Sequence, residues 1–212
     1  MTEKKYFVPA GRCRTEFIER KSRFITTICR VETVEEAEAF LAQIRAEFPD
    51  ATHNCAAYRI KTPLVERFFD DGEPGGTAGM PMLDVLKKQE LFDAAVVVTR
   101  YFGGILLGAG GLVRAYSKGA ADGVKEVGMA LMEQGVRLKL CCGYPLYDRV
   151  QRMPQLQNAE ILSTEFGAEI EMELMLRASE EQGLADALAD LSAGTATLTA
   201  LERMFYPFKT NC

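Results

Sequence analysis

The spacing of apolar and polar residues divides the chain into short extended runs and amphipathic helices. The segment GRCRTEFIERKSRFITTICRVE begins with an irregular basic stretch. In RFITTICRV (23–31), Phe24, Thr26 and Ile28 then alternate with their neighbours, the two-residue period of a strand. The period changes in TVEEAEAFLAQIRAEF (33–48), where Ala37, Phe40, Leu41 and Ile44 fall on one helical face. Thr33 with Glu36 three residues on predicts a capping box at its start. NCAAYRIK (54–61) and VERFFDD (65–71) read as extended, and a helix runs through MLDVLKKQEL (82–91). AAVVVTRYF (94–102) carries Val96, Val97 and Val98 without a break, as in a strand covered on both faces. LVRAYSKGAADGVKEV (112–127) predicts a helix with Val113, Tyr116, Ala120 and Val124 on its inner face.

Around MEQGVRLKL the pattern starts again. GVRLKLCCGYPL reads as a strand and YDRVQRMPQLQ as a helix bent or shortened by Pro154. AEILSTEFGAEIEMELML gives two strands joined near FGAE. SEEQGLADALADLSA is a helix capped by Ser179, with Glu180 and Glu181 in its first turn, and TATLTALERMFYPF is a closing strand. The order β-α-β-β-α-β is the ferredoxin-like arrangement. The expected fold is therefore α+β with two domains, residues 1–132 and 133–212.

Composition narrows the function classes. The chain has 212 residues, 48% of them hydrophobic and 26% charged, enough to bury a core. No apolar run approaches the roughly 20 residues that span a bilayer, and the start has no secretory pattern. A cytoplasmic location without membrane contact is expected. The six cysteines include no CxxC pair and read as thiols, with Cys141 and Cys142 on opposite faces of a strand. The net charge of −5 argues against a general nucleic-acid binder and against sequence-specific DNA binding. Its distribution matters more. The first 132 residues balance 18 basic against 18 acidic side chains, and the remainder carry 7 against 12. A polyanion would be held by a local patch in the first half, and the acidic second half is free for a protein partner.

Two glycine-rich loops each open onto a helix: DDGEPGGTAGMP (70–81) and GGILLGAGG (103–111). A helix N-terminus presents unpaired N–H groups and partial positive charge, and glycines let a ligand approach the main chain. Such places take phosphate or carboxylate. The candidate anion- or RNA-binding residues are Gly75, Gly76 and Thr77 in the first loop and Gly103, Gly104, Gly108, Gly110 and Gly111 in the second. Arg100 precedes the second loop; Arg114 and Lys118 follow it, four apart on one helical face. Neither a P-loop nor a dinucleotide fingerprint is present. Asp70, Asp71 and Glu73 are candidates for a hard-cation site or for capping the following helix, and capping is the favoured reading. His53, the only histidine, stands two residues before Cys55. A hydrogen-bonded structural histidine is favoured there over a Cys–His nucleophile pair. The basic positions Arg12, Arg14, Arg20, Lys21, Arg23 and Arg30 form either a solvated face or part of a phosphate-binding surface.

HNCAAY, DDGEPGGTAGMPML and VVVTRYFGGILLGAGGLVRAYSKGA, in this order, closely resemble the YigZ/Impact family, and the resemblance covers the whole chain. It implies a first domain similar to domain IV of elongation factor G and a ferredoxin-like second domain similar to domain V. The eukaryotic relatives are regulators of translation, and the family brings no settled catalytic residues and no cofactor. Its motifs fall here on His53, Asp70, Asp71, Glu73, Gly75, Gly76, Thr77 and Arg100, then on Tyr101, Phe102, Gly103, Gly104, Gly108, Gly110, Gly111, Arg114 and Tyr116. The expected function is a non-enzymatic RNA- or ribosome-associated protein. The alternative is an enzyme or sensor for a small phosphorylated or carboxylated metabolite at the paired glycine loops, with or without a divalent metal.

Overall fold

The computed structural model describes residues 5–153, 156 and 158–209. Pro154, expected to bend a helix, and Cys212 lie outside the described residues. The chain divides into two compact units, one reaching to Leu131 and the other spanning Met132–Phe208.

The first unit is built on an antiparallel sheet. Its strands are β2 (Arg12–Glu19), β3 (Ser22–Arg30), β4 (His53–Ile60), β5 (Val65–Phe69) and β6 (Ala94–Tyr101), in the order β2-β3-β6-β4-β5. β1 (Tyr6–Pro9) is a short strand ahead of them. β6 is central, and its apolar run is buried on both faces as its valines predict. Helix α1 (Val34–Glu47) covers one face, packing Phe40, Leu41 and Ile44 against Ala56, Tyr58 and Val97. Helices α2 (Gly79–Lys88) and α3 (Ala109–Val127) cover the other, around Phe24, Val96, Val98, Met82 and Tyr116.

Local details follow the sequence in part. Thr33 Oγ1 accepts from the Glu36 N–H at 3.2 Å. The reciprocal bond of the capping box reaches one residue further back, to the Glu32 N–H at 2.7 Å. The basic stretch expected to be irregular is strand β2, paired residue by residue with β3 from Arg12–Cys29 to Glu19–Ser22. Its inward positions Cys13, Thr15 and Phe17 are only half-buried, which weakens the alternation. On α3, Val113 faces outward, and Leu112 and Ala115 join Tyr116, Ala120 and Val124 on the inner face.

The second unit runs β7 (Met129–Cys142), α4 (Tyr144–Gln151), β8 (Glu160–Phe166), β9 (Ile170–Arg177), α5 (Glu181–Ser192) and β10 (Thr197–Lys209). β7 pairs with both β10 and β9, and β9 pairs with β8. That order, β10-β7-β9-β8, is the ferredoxin-like one. Ser179 does not cap α5: Ala178–Glu180 form a short 3-10 turn, and the helix begins at Glu181 without a side-chain cap.

Candidate functional site

The first glycine loop is occupied by its own carboxylate. Asp70 Oδ2 accepts from the Gly76 N–H at 2.7 Å, and Oδ1 accepts from the N–H groups of Ala78 at 3.1 Å and Gly79 at 2.8 Å. These are N–H groups at the start of α2 and in the turn before it, so Asp70 caps that helix from eight and nine residues back. Thr77 Oγ1 turns inward to the Pro74 carbonyl at 2.6 Å. Gly75, Gly76 and Thr77 therefore do not form an open anion site, because the negative charge they were expected to receive is supplied within the loop. Asp71 is also engaged, accepting from the Asn54 N–H at 2.6 Å and from Arg45 at 3.3 Å. Among the described residues, no group of three or more His, Cys, Asp or Glu side chains is arranged to hold a metal ion.

Glu73 has a different role. Strand register sets Arg100 of β6 between Phe24 of β3 and His53 of β4. The Arg100 side chain, 5% exposed, reaches Glu73 Oε1 at 2.5 Å, and Glu73 is 4% exposed. A second guanidinium nitrogen donates to Ser22 Oγ at 3.2 Å, and the Phe24 and Phe102 rings flank the group at 5.4 and 5.5 Å. Arg100 is thus an internal ion-pair partner, neutralised by Glu73, and not the available cation expected from its place before the second loop. An arginine ending the run VVVT needs a buried acid, a signal the sequence carried. The acid lies 27 residues earlier in the chain.

The pair anchors a wider network. Tyr116 on α3 donates to Glu73 Oε1 at 2.8 Å, and the Cys55 thiol contacts the Asp70 carbonyl at 3.0 Å and the Tyr116 hydroxyl at 3.3 Å. Burial, chiefly, pushes the Cys55 thiol up to about 12 and drives the Tyr116 hydroxyl well above its ordinary value. A thiol so held stays protonated near neutral pH and is no nucleophile. His53 Nδ1 lies 2.8 Å from the Asp71 carbonyl, and its Nε2 stands 3.8 Å from Glu73 Oε1, too long for a hydrogen bond. His53 and Cys55 thus serve separate carbonyls rather than each other.

The second loop is open where the first is filled. Gly103 packs against the Lys21 backbone and donates to Ser22 Oγ at 3.3 Å, while Gly104 is exposed. Gly108, at φ 73°, is the N-cap of α3 and carries no side chain to cap it; Gly110 and Gly111 lie in the first helical turn. Two concavities flank this helix start. A cleft of about 350 Å³ brings the two loops together, with Glu73 and Pro74 on one wall and Leu106, Gly108 and Ala109 on the other; His53 and Arg100 also line it. A smaller groove of about 210 Å³ is lined by Arg20, Arg114 and Lys118, with Glu19 as its one acid.

The cations of the groove come from two elements. Arg20 and Lys21 form the β2–β3 turn at φ 45° and 64°, positions that two-residue hairpins usually give to Asn-Gly. Arg20 reaches across to the Leu106 carbonyl at 3.4 Å. Arg114 and Lys118 rise from α3; Lys118 pairs with Asp122 and lies 4.5 Å from the centre of the Phe17 ring. Of the other basic residues of the segment, Arg14 pairs with Glu47, Arg23 with Glu16 and Arg30 with Glu32, while Arg12 donates to the Gln43 side chain at 3.4 Å.

Residues 20–124 match the model of the Impact N-terminal domain, and residues 140–195 match that of a domain of unknown function (DUF1949). The chain is 36% identical to the IMPACT family member YvyE of Bacillus subtilis, across 91% of this chain and 89% of that protein. It is 34% identical to the IMPACT family member YigZ of Escherichia coli, across 93% and 98%. A solved structure of a hypothetical protein, 34% identical, covers 95% of this chain and 98% of its own with a TM-score of 0.59. Protein IMPACT of Rattus norvegicus matches over 42% of this chain and 30% of its own length, at 33% identity. The motifs, the two-unit fold and these full-length similarities together make the chain a member of the IMPACT family.

Proposed function

We propose that this protein acts in the cytoplasm on translation, as a non-enzymatic protein that holds RNA phosphates, in the ribosome or free of it, in the groove beside α3. One observation carries the reading: Arg20, Arg114 and Lys118, from two separate elements, line one groove with a single acid among them. Arg114 and Lys118 are exposed and stand one helical turn apart, a like-charge spacing that Asp122 relieves on the Lys118 side alone. The turn that supplies Arg20 is held in a conformation unusual for its residues, and such strain gathers where function requires it. Phe102, 44% exposed beside the second loop, offers a face for a base, whereas Tyr116 is buried in the core. The family resemblance, whose eukaryotic members are regulators of translation, points the same way. The acidic excess of residues 133–212 would repel RNA and leave that unit for a protein partner.

Phosphate contacts leave a signature in salt dependence. Binding of the full chain to fragmented ribosomal RNA is expected to weaken steeply with salt. Arg114→Ala/Lys118→Ala should flatten the slope of log K against log salt by about two contacts, roughly 1.4 for single strands. An unchanged slope would remove the groove from the interface.

A further inference from the structure

The cleft between the glycine loops is not explained by phosphate contacts in the groove, and its lining differs in kind. We infer that it is a binding site for a small organic anion, with a carboxylate or phosphate head seated at the start of α3 and an apolar body against Phe102, Leu106 and Leu112. None of Arg20, Arg114 and Lys118 lines it, so it shares only Phe102 with the RNA reading.

Three observations converge on that chemistry. First, α3 runs for 19 residues, and its N-cap is a glycine with no side-chain acceptor. Its first-turn N–H groups present partial positive charge beside the cleft, where α2 has Asp70 in the equivalent place. The chain thus fills one of its two glycine-loop helix starts with its own carboxylate and leaves the other without one.

Second, Arg100 lines the same cleft while only 4% exposed, and its Nε has no hydrogen-bond partner among the described residues. A buried guanidinium nitrogen left unpaired is costly. His53 Nε2, on the same lining, likewise has no acceptor within hydrogen-bond distance in Glu73. The Arg100 Nε–H is a donor that an acceptor-bearing ligand would satisfy, whereas His53, whose Nδ1–H is directed at the Asp71 carbonyl, offers Nε2 as an acceptor at the cleft.

Third, the opposite wall is apolar and stands in water. Leu106 is 80% exposed and Phe102 44%, and with the buried Leu112 beside them they make a surface broad enough for a ring or short alkyl body. Few convergent polar groups set in an apolar concavity of this size are the usual composition of a small-molecule site. The buried Glu73–Arg100–Tyr116 network behind it holds those groups in place.

The single histidine supplies the test. His53 is the only one in the chain, so untagged full-length protein shows one imidazole Hε1 resonance. Phenyl phosphate and phenylacetate serve as probes, with benzyl alcohol as the neutral control. A saturable shift with at least one of the two anions and none with benzyl alcohol is expected; which anion acts distinguishes a phosphoester from a carboxylate ligand. Ala109→Glu places a like charge in the first turn of α3, where acidic residues favour the helix, so the fold is retained. It should weaken the anion response by about tenfold with no loss in melting temperature. Absence of a saturable shift with both anions overturns the inference, as does an equal response to benzyl alcohol or an undiminished response in Ala109→Glu.

Discussion

Glu73→Ala is expected to destabilise the first unit by about 3–5 kcal/mol, read as a drop in the urea midpoint at unchanged m-value. The loss of one contact does not explain so large an effect. Glu73 is the only carboxylate within reach of the Arg100 guanidinium among the described ion pairs, and both side chains are at most 5% exposed. Removing the acid leaves a buried cation facing Phe24 and Phe102 and strips the Tyr116 hydroxyl of its acceptor. The ion pair itself is worth far less than its disruption, because forming it already cost the desolvation of two charges. The double replacement Glu73→Leu/Arg100→Met should therefore recover most of the stability that Glu73→Ala loses. A single-variant cost below about 1 kcal/mol would mean that water reaches Arg100 and that the network does not hold the cleft wall.

Gly103→Ala carries the second large effect. A Cβ at that position would stand 2.0 Å from the Lys21 carbonyl oxygen and 2.1 Å from its carbon. The clash is with main chain, in a turn whose two residues already hold left-handed conformations, so no rotamer change relieves it. The expected cost is about 3 kcal/mol or more. Gly104→Ala, one residue on, is the control: its φ of +84° disfavours alanine, yet a Cβ there meets nothing within 4 Å. It should cost only about 1–2 kcal/mol. Equal losses at the two positions would show that backbone conformation, and not the approach of the two loops, decides the need for glycine.

These two residues show how far the sequence could be read. Periodicity sufficed for α1 and β6, because a helix face made of Ala37, Phe40, Leu41 and Ile44 and an unbroken valine run have few other solutions. It failed at β2, where arginines alternate with half-buried Cys13 and Thr15, and at Ser179, which a 3-10 turn removes from the helix start. At the site, Arg114 and Lys118 were legible because helical spacing is local. Arg100 was legible as a residue of consequence but not as a paired one, since Glu73 comes beside it only through the loop that Asp70 folds. The filling of the first loop by Asp70 was foreseen as capping, while its consequence, that only the second helix start stays open, needed both loops in space. Arg20 joins the groove through a turn that the sequence hid as an irregular stretch.

The most direct test of the account is co-sedimentation of the purified protein with ribosomes across a salt series, with Arg114→Ala/Lys118→Ala alongside. Pelleting is expected at low salt, fading as salt rises and lost first in the double variant. Pelleting that is indifferent to salt and to both substitutions, or no pelleting even at low salt, would contradict it.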